Sequence, residues 1–401
     1  MEADENRYEG MLSGKTVVVA VTASISLYRI PDLVRELRRE GARVIVGMSQ
    51  EASRLISPTI FNWASENPVV TEISGNIEHI SLFIGHARDT SLLICPASYN
   101  SIGKVSNGIS DDIPSLFFSF AMGNGNPIDI CPAMHEGMMI NPINQENLEK
   151  LKGLGVGIIP PRMLEQKAKI SENDLAVDYV CRSLGGRPLR GKRILIIGGR
   201  GEEKIDPVRS ISNSGSGLTF SWFGINAFRL GADRIVMIGN TDFRIPDYAD
   251  YRKCIKIEDF EAEVSKVLSK EKFDMVINCA SLPDFKVSNR SDTKLPGSRR
   301  ILLELEPRHK LLETVRRHHS GTLIAFKLDH EMGADEIRKK LEASSPDAIV
   351  YNVIDGVSSP FGEVRNHYRI ITPRETIDLG SLPKPQMTLK VLLSFASGGK
   401  E

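Results

Sequence analysis

GKTVVVAVTAS at residues 14–24 and GKRILIIGGRG at residues 191–201 decide the fold. Each is an apolar run closed by a turn of small residues, Thr-Ala-Ser in the first and Gly-Gly-Arg-Gly in the second. A strand that is apolar on both faces belongs inside a sheet covered on both sides, which is the setting of parallel strands. SLYRIPDLVRELRREGARV (26–44) then carries a helical apolar period after the first turn. The chain begins a nucleotide-type α/β domain twice, which points to two bound cofactors and allows two linked reactions.

The chain has 401 residues, more than one ordinary core accommodates and enough for two domains. Hydrophobic residues at 41% and charged residues at 25% are those of a soluble globular protein. Lys and Arg balance Asp and Glu at 51 each, so charge makes no case for nucleic acid or an anionic membrane as partner. No apolar run approaches the roughly 20 residues that span a bilayer. MEADENRYEG is acidic, unlike a signal peptide, and residues 1–13 are expected to form a short disordered arm. Five cysteines without a CxxC spacing read as small buried hydrophobes in a reducing cytoplasm, and no metal site is expected.

Strands are predicted at 17–20, 44–47, 91–95, 128–131 and 155–159. Helices are predicted at 28–40, 100–107, 113–122, 145–153 and 172–182. The breaker-rich SLGGRPLRGKR (183–193) follows, and the linker is placed at 183–190 between domains 14–182 and 191–401. The second half predicts strands at 193–197, 234–238, 275–278, 301–305, 323–326 and 348–351. Its helices are predicted at 217–229, 257–268, 309–318, 334–342 and 387–397. The fold class is α/β, two doubly wound parallel sheets. Ligands bind such sheets at the carboxyl ends of the strands. That rule selects the segments 22–26, 48–50, 96–100 and 132–138.

TASIS (22–26), EHISL (78–82), PASYNSIGKVSNGISDD (96–112) and PAMHEGMMINP (132–142) occur in that order. Together they resemble the flavin-dependent cysteine decarboxylase family, over about residues 14–154. The resemblance implies a flavodoxin-like flavoprotein fold binding FMN through Ser24 and Ser49, with Ser98 and Asn100 nearby. His79 matches the active-site histidine and Met138 the substrate-contacting methionine. His135 stands where the family has an Asn that holds the substrate carboxylate. The family's flap cysteine has no counterpart in IIPPRMLEQKAKI (158–170). The chemistry is consistent: a carboxylate beta to a thiol leaves only when an electron sink is available, and a flavin supplies one.

GGRGEEKIDPVRSISNSGSG (198–217) opens the second domain. Its Asp-Pro-Val-Arg, Asn and Ser-Gly elements resemble the phosphopantothenate–cysteine ligase family, as do CASLPDF (279–285), TKLPGS (293–298), IAFKLD (324–329) and YNVIDGVSSPFGEVRN (351–366). Lys204 replaces a family proline, and GEVRN lacks the family Ser-Asp pair. Decarboxylase before ligase is the order of bifunctional coenzyme A biosynthesis enzymes. The resemblance implies a Rossmann-like ligase domain that joins 4'-phosphopantothenate to cysteine through an acyl-nucleotide, with CTP (or ATP) as co-substrate and Mg2+ on the triphosphate. Asn213 would stabilise the acyl-nucleotide step and Arg209 would face anionic substrate groups. Lys294 and Lys327 would meet the triphosphate. Ser216, Gly217, Asn278 and Phe326 would line the nucleotide pocket. It also implies a homo-oligomer, trimeric through the first domain and dimeric through the second, giving a dodecamer if both apply.

Plain structural readings stand beside these: Ser24 and Asn213 as helix caps, Arg209 in an ion pair, Lys294 as a solvated loop lysine. So do two other functions, a ligase whose first domain is an altered flavin-binding or assembly module, and a non-enzymatic flavoprotein regulator. A dehydrogenase is disfavoured because neither turn holds an intact GxGxxG.

Overall fold

The computed structural model describes residues 10–73, 77–164, 167–298, 300–329, 346–353 and 365–396. The helix expected at 334–342 and most of segment 351–366 lie outside these residues. The chain divides into two compact units, Met1–Arg187 and Pro188–Glu401.

The first unit is built on β1 (Thr16–Val21), β2 (Arg43–Met48), β3 (Val69–Val70), β4 (Thr90–Ala97), β5 (Ile128–Pro132) and β7 (Gly157–Ile158); the short β6 (Met134–His135) stands apart. They form one sheet in the order β3-β2-β1-β4-β5-β7, parallel throughout. Without the two-residue edge strand β3, the order is the flavodoxin-like 2-1-3-4-5. The apolar runs become strands because they are buried on both faces: Val17 to Val21 are fully buried. The helix Ile30–Arg39 covers the sheet with Ile30, Leu33, Val34 and Leu37. Residues 10–13, expected within the arm, pack instead: Leu12 is fully buried and its amide donates to the Glu40 carbonyl at 2.9 Å. The segment with no cysteine forms a hairpin, β8 (Arg162–Leu164) and β9 (Lys167–Lys169), that pairs antiparallel with β6.

The second unit carries β10 (Arg193–Arg200), then an antiparallel ribbon of β11 (Glu202–Lys204) and β12 (Ser210–Ser212), then β13 (Arg234–Asn240), β14 (Asp250–Lys253) and β15 (Met275–Ser281). A second ribbon joins β16 (Phe285–Val287) to β17 (Leu305–Pro307). β18 (Thr322–Asp329), β19 (Ala348–Val353), β20 (Asn366–Ile371) and β21 (Thr376–Leu382) follow. The main sheet runs β14-β13-β10-β15-β18-β19-β20-β21. Its first six members are parallel in Rossmann order 3-2-1-4-5-6, and β20 and β21 add an antiparallel edge.

The strand predicted at 301–305 is not in the sheet; only Leu305 is extended, in the β16–β17 ribbon. Ile301, Leu302 and Leu303 are exposed, at 38%, 72% and 36%, so an apolar run that reads as core lies on the surface. The helix expected from His309 begins at Leu311.

Candidate functional site

In the first unit the carboxyl ends of β1, β2, β4 and β5 come together through their pairing and a few bonds. The buried Thr22 hydroxyl donates to the Pro96 carbonyl (2.7 Å) and accepts from the Ser98 amide (3.1 Å), tying the end of β1 to the end of β4. The Ser49 amide donates to the Val21 carbonyl at 3.1 Å, and the Ala133 amide to the Ala97 carbonyl at 3.0 Å. Ser24, Ser49 and Ser98 each cap a helix, accepting from the amides of Ser26, Ala52 and Ser101. The plain capping role is real, and it also turns three helix starts toward one sheet edge. Lys104, on the helix Tyr99–Ser106 that Ser98 caps, pairs with Asp111 (2.8 Å) and Asp112 (2.9 Å) and closes the loop after that helix. Burial pushes the Asp112 carboxyl up, but the Ser115 hydroxyl and amide and Lys104 hold it below the usual range.

Asn100 is exposed on the helix Tyr99–Ser106. The His79 ring packs edge-on against Phe120 with centroids 4.6 Å apart, and its Nδ1 is buried without a hydrogen-bond partner among the described residues. His135 is exposed and caps the short helix Glu136–Met139, its Nδ1 accepting from the Gly137 amide at 3.4 Å. Met138 is exposed on that helix. A phosphate-bearing flavin fits the edge of β1, β2 and β4, where hydroxyls and helix-start amides gather, and His79 Nδ1 is an orphan of the kind a ligand satisfies. Replacing Thr22 by Val strands the Ser98 amide and the Pro96 carbonyl. A loss of about 2 kcal/mol in the stability of this unit is expected, read by urea unfolding, together with weaker flavin retention.

In the second unit a cleft of about 740 Å3 opens at the carboxyl ends of β10, β15 and β18, the point where strand order reverses. Asn213, Ser216, Gly217, Asn278, Phe326 and Lys327 all line it. The Asn213 amide group donates to the Leu282 carbonyl at 3.1 Å, a bond from the glycine turn to the loop after β15, so Asn213 is not a helix cap. Gly217 caps the helix Leu218–Arg229 with φ at +80°, and its missing Cβ would sit 2.5 Å from the Thr241 side chain. The Asn278 side chain accepts from the Ala280 amide at 3.3 Å. Phe326 packs edge-on against Phe223, and Lys327 pairs with Asp329 at 3.3 Å.

Arg209 and Lys294 are brought together, but neither lines the cleft. The buried Asp206 carboxylate accepts from the amides of Val208 (2.8 Å), Arg209 (2.8 Å) and Leu295 (3.2 Å). The Arg209 guanidinium returns to Asp206 at 3.4 Å and to the Leu295 carbonyl at 3.2 Å. Lys294 is exposed beside this knot.

Other side chains supply the cleft's charge. Arg308, His309, Lys310 and Lys384 line it, and none was reached by reading the sequence. They arrive from the start of the helix Leu311–His318 and from the start of the last helix, Lys384–Ser394, with no local motif to mark them. Asn352 Oδ1 also faces this surface, buried and without a partner among the described residues. Among the described residues no group of three His, Cys, Asp or Glu side chains converges as metal ligands. No helix of the described residues is long and apolar enough to cross a membrane.

Two open α/β units with ligand edges of this kind define a fused, two-site protein, and comparison with known families agrees. Residues 5–185 match the family model described as Flavoprotein, and residues 189–397 match the DNA/pantothenate metabolism flavoprotein C-terminal domain. The coenzyme A biosynthesis bifunctional protein CoaBC of Thermococcus kodakarensis is 36% identical over 360 residues, covering 88% of this chain and 89% of that protein. The protein of the same name from Methanocaldococcus jannaschii is 33% identical over 334 residues, covering 82% of this chain and 79% of its own length. A crystal structure of the C-terminal domain of a CoaBC protein is 26% identical with a TM-score of 0.43, covering 52% of this chain and 96% of that one. The chain belongs to the family of coenzyme A biosynthesis bifunctional proteins.

Proposed function

We propose that the second unit joins 4'-phosphopantothenate to cysteine through an acyl-nucleotide, and that the first decarboxylates the product, 4'-phosphopantothenoylcysteine, to 4'-phosphopantetheine. The observation that carries this reading is the convergence of Asn213, Ser216, Gly217, Asn278, Phe326 and Lys327 on one cleft, in a chain of this family. Amide formation from a carboxylate requires its activation, here by transfer of a nucleotide with loss of pyrophosphate. Most of that barrier is lowered by holding the two anions together and neutralising charge. The glycine turn lets the backbone approach phosphate closely. Asn213, fixed by its bond to the Leu282 carbonyl, presents a rigid amide beside that turn. CTP, carried with Mg2+, is the nucleotide we favour over ATP.

FMN, when bound in the first unit, supplies the two-electron sink that lets the carboxylate leave. Ser24, Ser49 and Ser98 hold its phosphate end, with Asn100 beside them. His79 faces the reacting region, and Met138 and His135 border the substrate. His135 departs from the family's Asn and the hairpin Arg162–Lys169 lacks a cysteine. These departures favour a second reading, in which only the ligase works and the first unit binds flavin without decarboxylating. Exposed apolar side chains on the β16–β17 ribbon, Phe285 and Leu305 among them, support self-association of the ligase half.

Purified protein given phosphopantothenate, cysteine, CTP and Mg2+ is expected to release pyrophosphate and form phosphopantothenoylcysteine. Given that product, it is expected to release CO2. Ligation without CO2 selects the second reading, and failure of ligation removes the first.

A further inference from the structure

We infer that Lys310 is a substrate-contacting cation of the ligase cleft, placed to hold a phosphate group that the glycine turn does not take. The inference rests on the ligase reading of the second unit. It starts from a violation of local rules. The residue before a helix is ordinarily Ser, Thr, Asp or Asn, whose side chain accepts a free amide and whose polarity suits the positive end of the helix dipole. Lys310 occupies that position ahead of Leu311–His318, with no side-chain cap. It places an ammonium where a positive charge is disfavoured, directly after Arg308 and His309.

The neighbouring basic side chains of the cleft already have partners. Arg308 pairs with the buried Glu203 at 2.5 Å and with Glu258 at 3.1 Å. His309 pairs with Glu313 at 2.8 Å and Lys327 with Asp329 at 3.3 Å. Lys384 is buried and has partners of its own. Lys310 is exposed, lines the cleft, and has no side-chain hydrogen bond or ion pair among the described residues. Glu261 and Asp284 also line the cleft without pairing to it. A sequence that breaks a capping rule and crowds three basic residues without a carboxylate for the third resolves the conflict when an anion arrives.

The reaction brings anions in two forms. The nucleotide carries a triphosphate and the pantothenate substrate a phosphomonoester. The turn Gly215–Gly217, at the start of the helix Leu218–Arg229, serves one of them. Lys310, contributed by a different element of the same cleft, serves the other or the far end of the triphosphate. The shared chemistry is a phosphate group, and experiment separates its sources.

The test uses the full-length protein with Lys310→Gln and Lys310→Arg. CTP and phosphopantothenate are each titrated calorimetrically, without turnover, and KM is measured for each in pyrophosphate release. Lys310→Gln is expected to weaken one of the two substrates by about tenfold or more, the scale of a lost charge-assisted contact, and the other by less than about twofold. Lys310→Arg is expected to stay within about threefold of wild type, and neither variant to lower the melting temperature. A selective effect on CTP assigns the lysine to the triphosphate; one on phosphopantothenate assigns it to the phosphomonoester. Unchanged affinities for both, equal weakening of both with a lowered melting temperature, or an Arg variant as weak as the Gln variant overturns the inference. A wild-type protein that binds neither compound overturns the ligase reading itself, a result distinct from any of these.

Discussion

Gly199→Ala is expected to abolish amide formation by deforming the sheet, without removing any group that touches substrate. Gly199 ends the apolar run of β10 with φ at +80°, a region in which an L side chain is strained. A Cβ built there lies 1.6 Å from the Asn240 carbonyl oxygen and 2.6 Å from its carbon. Both atoms belong to the backbone of the adjacent strand β13, in register with Gly199, so no rotamer change relieves the overlap. Gly239 faces Gly198 in the same register, and its Cβ would lie 1.9 Å from the Gly198 carbonyl oxygen. The Cβ of Gly198 would in turn meet the Phe220 ring at 2.4 Å, on the helix that starts after Gly217. The close approach of two strands and a helix at this corner is what creates the turn that faces the cleft. Opening it costs on the order of 3 kcal/mol or more, from overpacking added to backbone strain. Ligation is expected to fall at least about a hundredfold, with a lowered urea midpoint for this unit. Flavin content serves as the internal control, because the capping serines belong to the other unit. Normal ligation by a soluble Gly199→Ala protein would show that strand spacing at this corner does not shape the site.

The same corner explains how far the sequence could be read. VVVAV and RILII are legible because a parallel strand buried on both faces has almost no option but uniform apolarity. Edge elements carry no such constraint. β14, with the sequence DYRK, is half exposed and polar, and β20 and β21 have mixed patterns, so none of the three stands out from loop. The run at 301–305 misleads for the opposite reason: apolarity says that a side chain prefers contact, not which surface provides it. Within the site, the glycine turn and Asn278, Phe326 and Lys327 were accessible through the resemblance of their segments to the ligase family, and they stand at strand ends, where topology gathers the lining of such a cleft. Lys310 and Lys384 were not, because they reach the cleft from helix starts far along the chain. Arg209 and Lys294 show the converse limit. Their motifs do meet, through Asp206 and Leu295, but at a knot beside the cleft.

Asp129→Asn is expected to make the first unit more stable at neutral pH and to flatten its pH dependence. Asp129 lies on β5 and is 1% exposed. Burial pushes its carboxyl from 3.8 up to about 7, against the opposing pull of a Ser183 hydrogen bond and the Arg187 charge. Its Oδ2 has no hydrogen-bond partner among the described residues, so the charged form is poorly solvated. Gly157 on the adjacent β7 is packed so closely that a Cβ there would sit 2.0 Å from Asp129 Oδ1. Tyr179, also facing this carboxyl, has its own hydroxyl pushed up by burial and by the Asp129 charge. The sign follows from which state holds the proton. Below about pH 3.8 the folded and unfolded chains both carry it and stability is undiminished. Between there and about 7 the unfolded chain releases it while the folded chain retains it, so stability falls as pH rises; above 7 the loss is complete. The span corresponds to about 4 kcal/mol at about 1.4 kcal/mol per pH unit. An Asn side chain keeps the shape without the charge, so wild type and variant should nearly coincide at about pH 4 and diverge by several kcal/mol at about pH 7.5. Urea unfolding followed by Trp63 fluorescence, in a Trp222→Phe background, isolates the first unit. Parallel stability curves for the two proteins across this range would mean that Asp129 is ionised in the folded chain and that water or a cation reaches it.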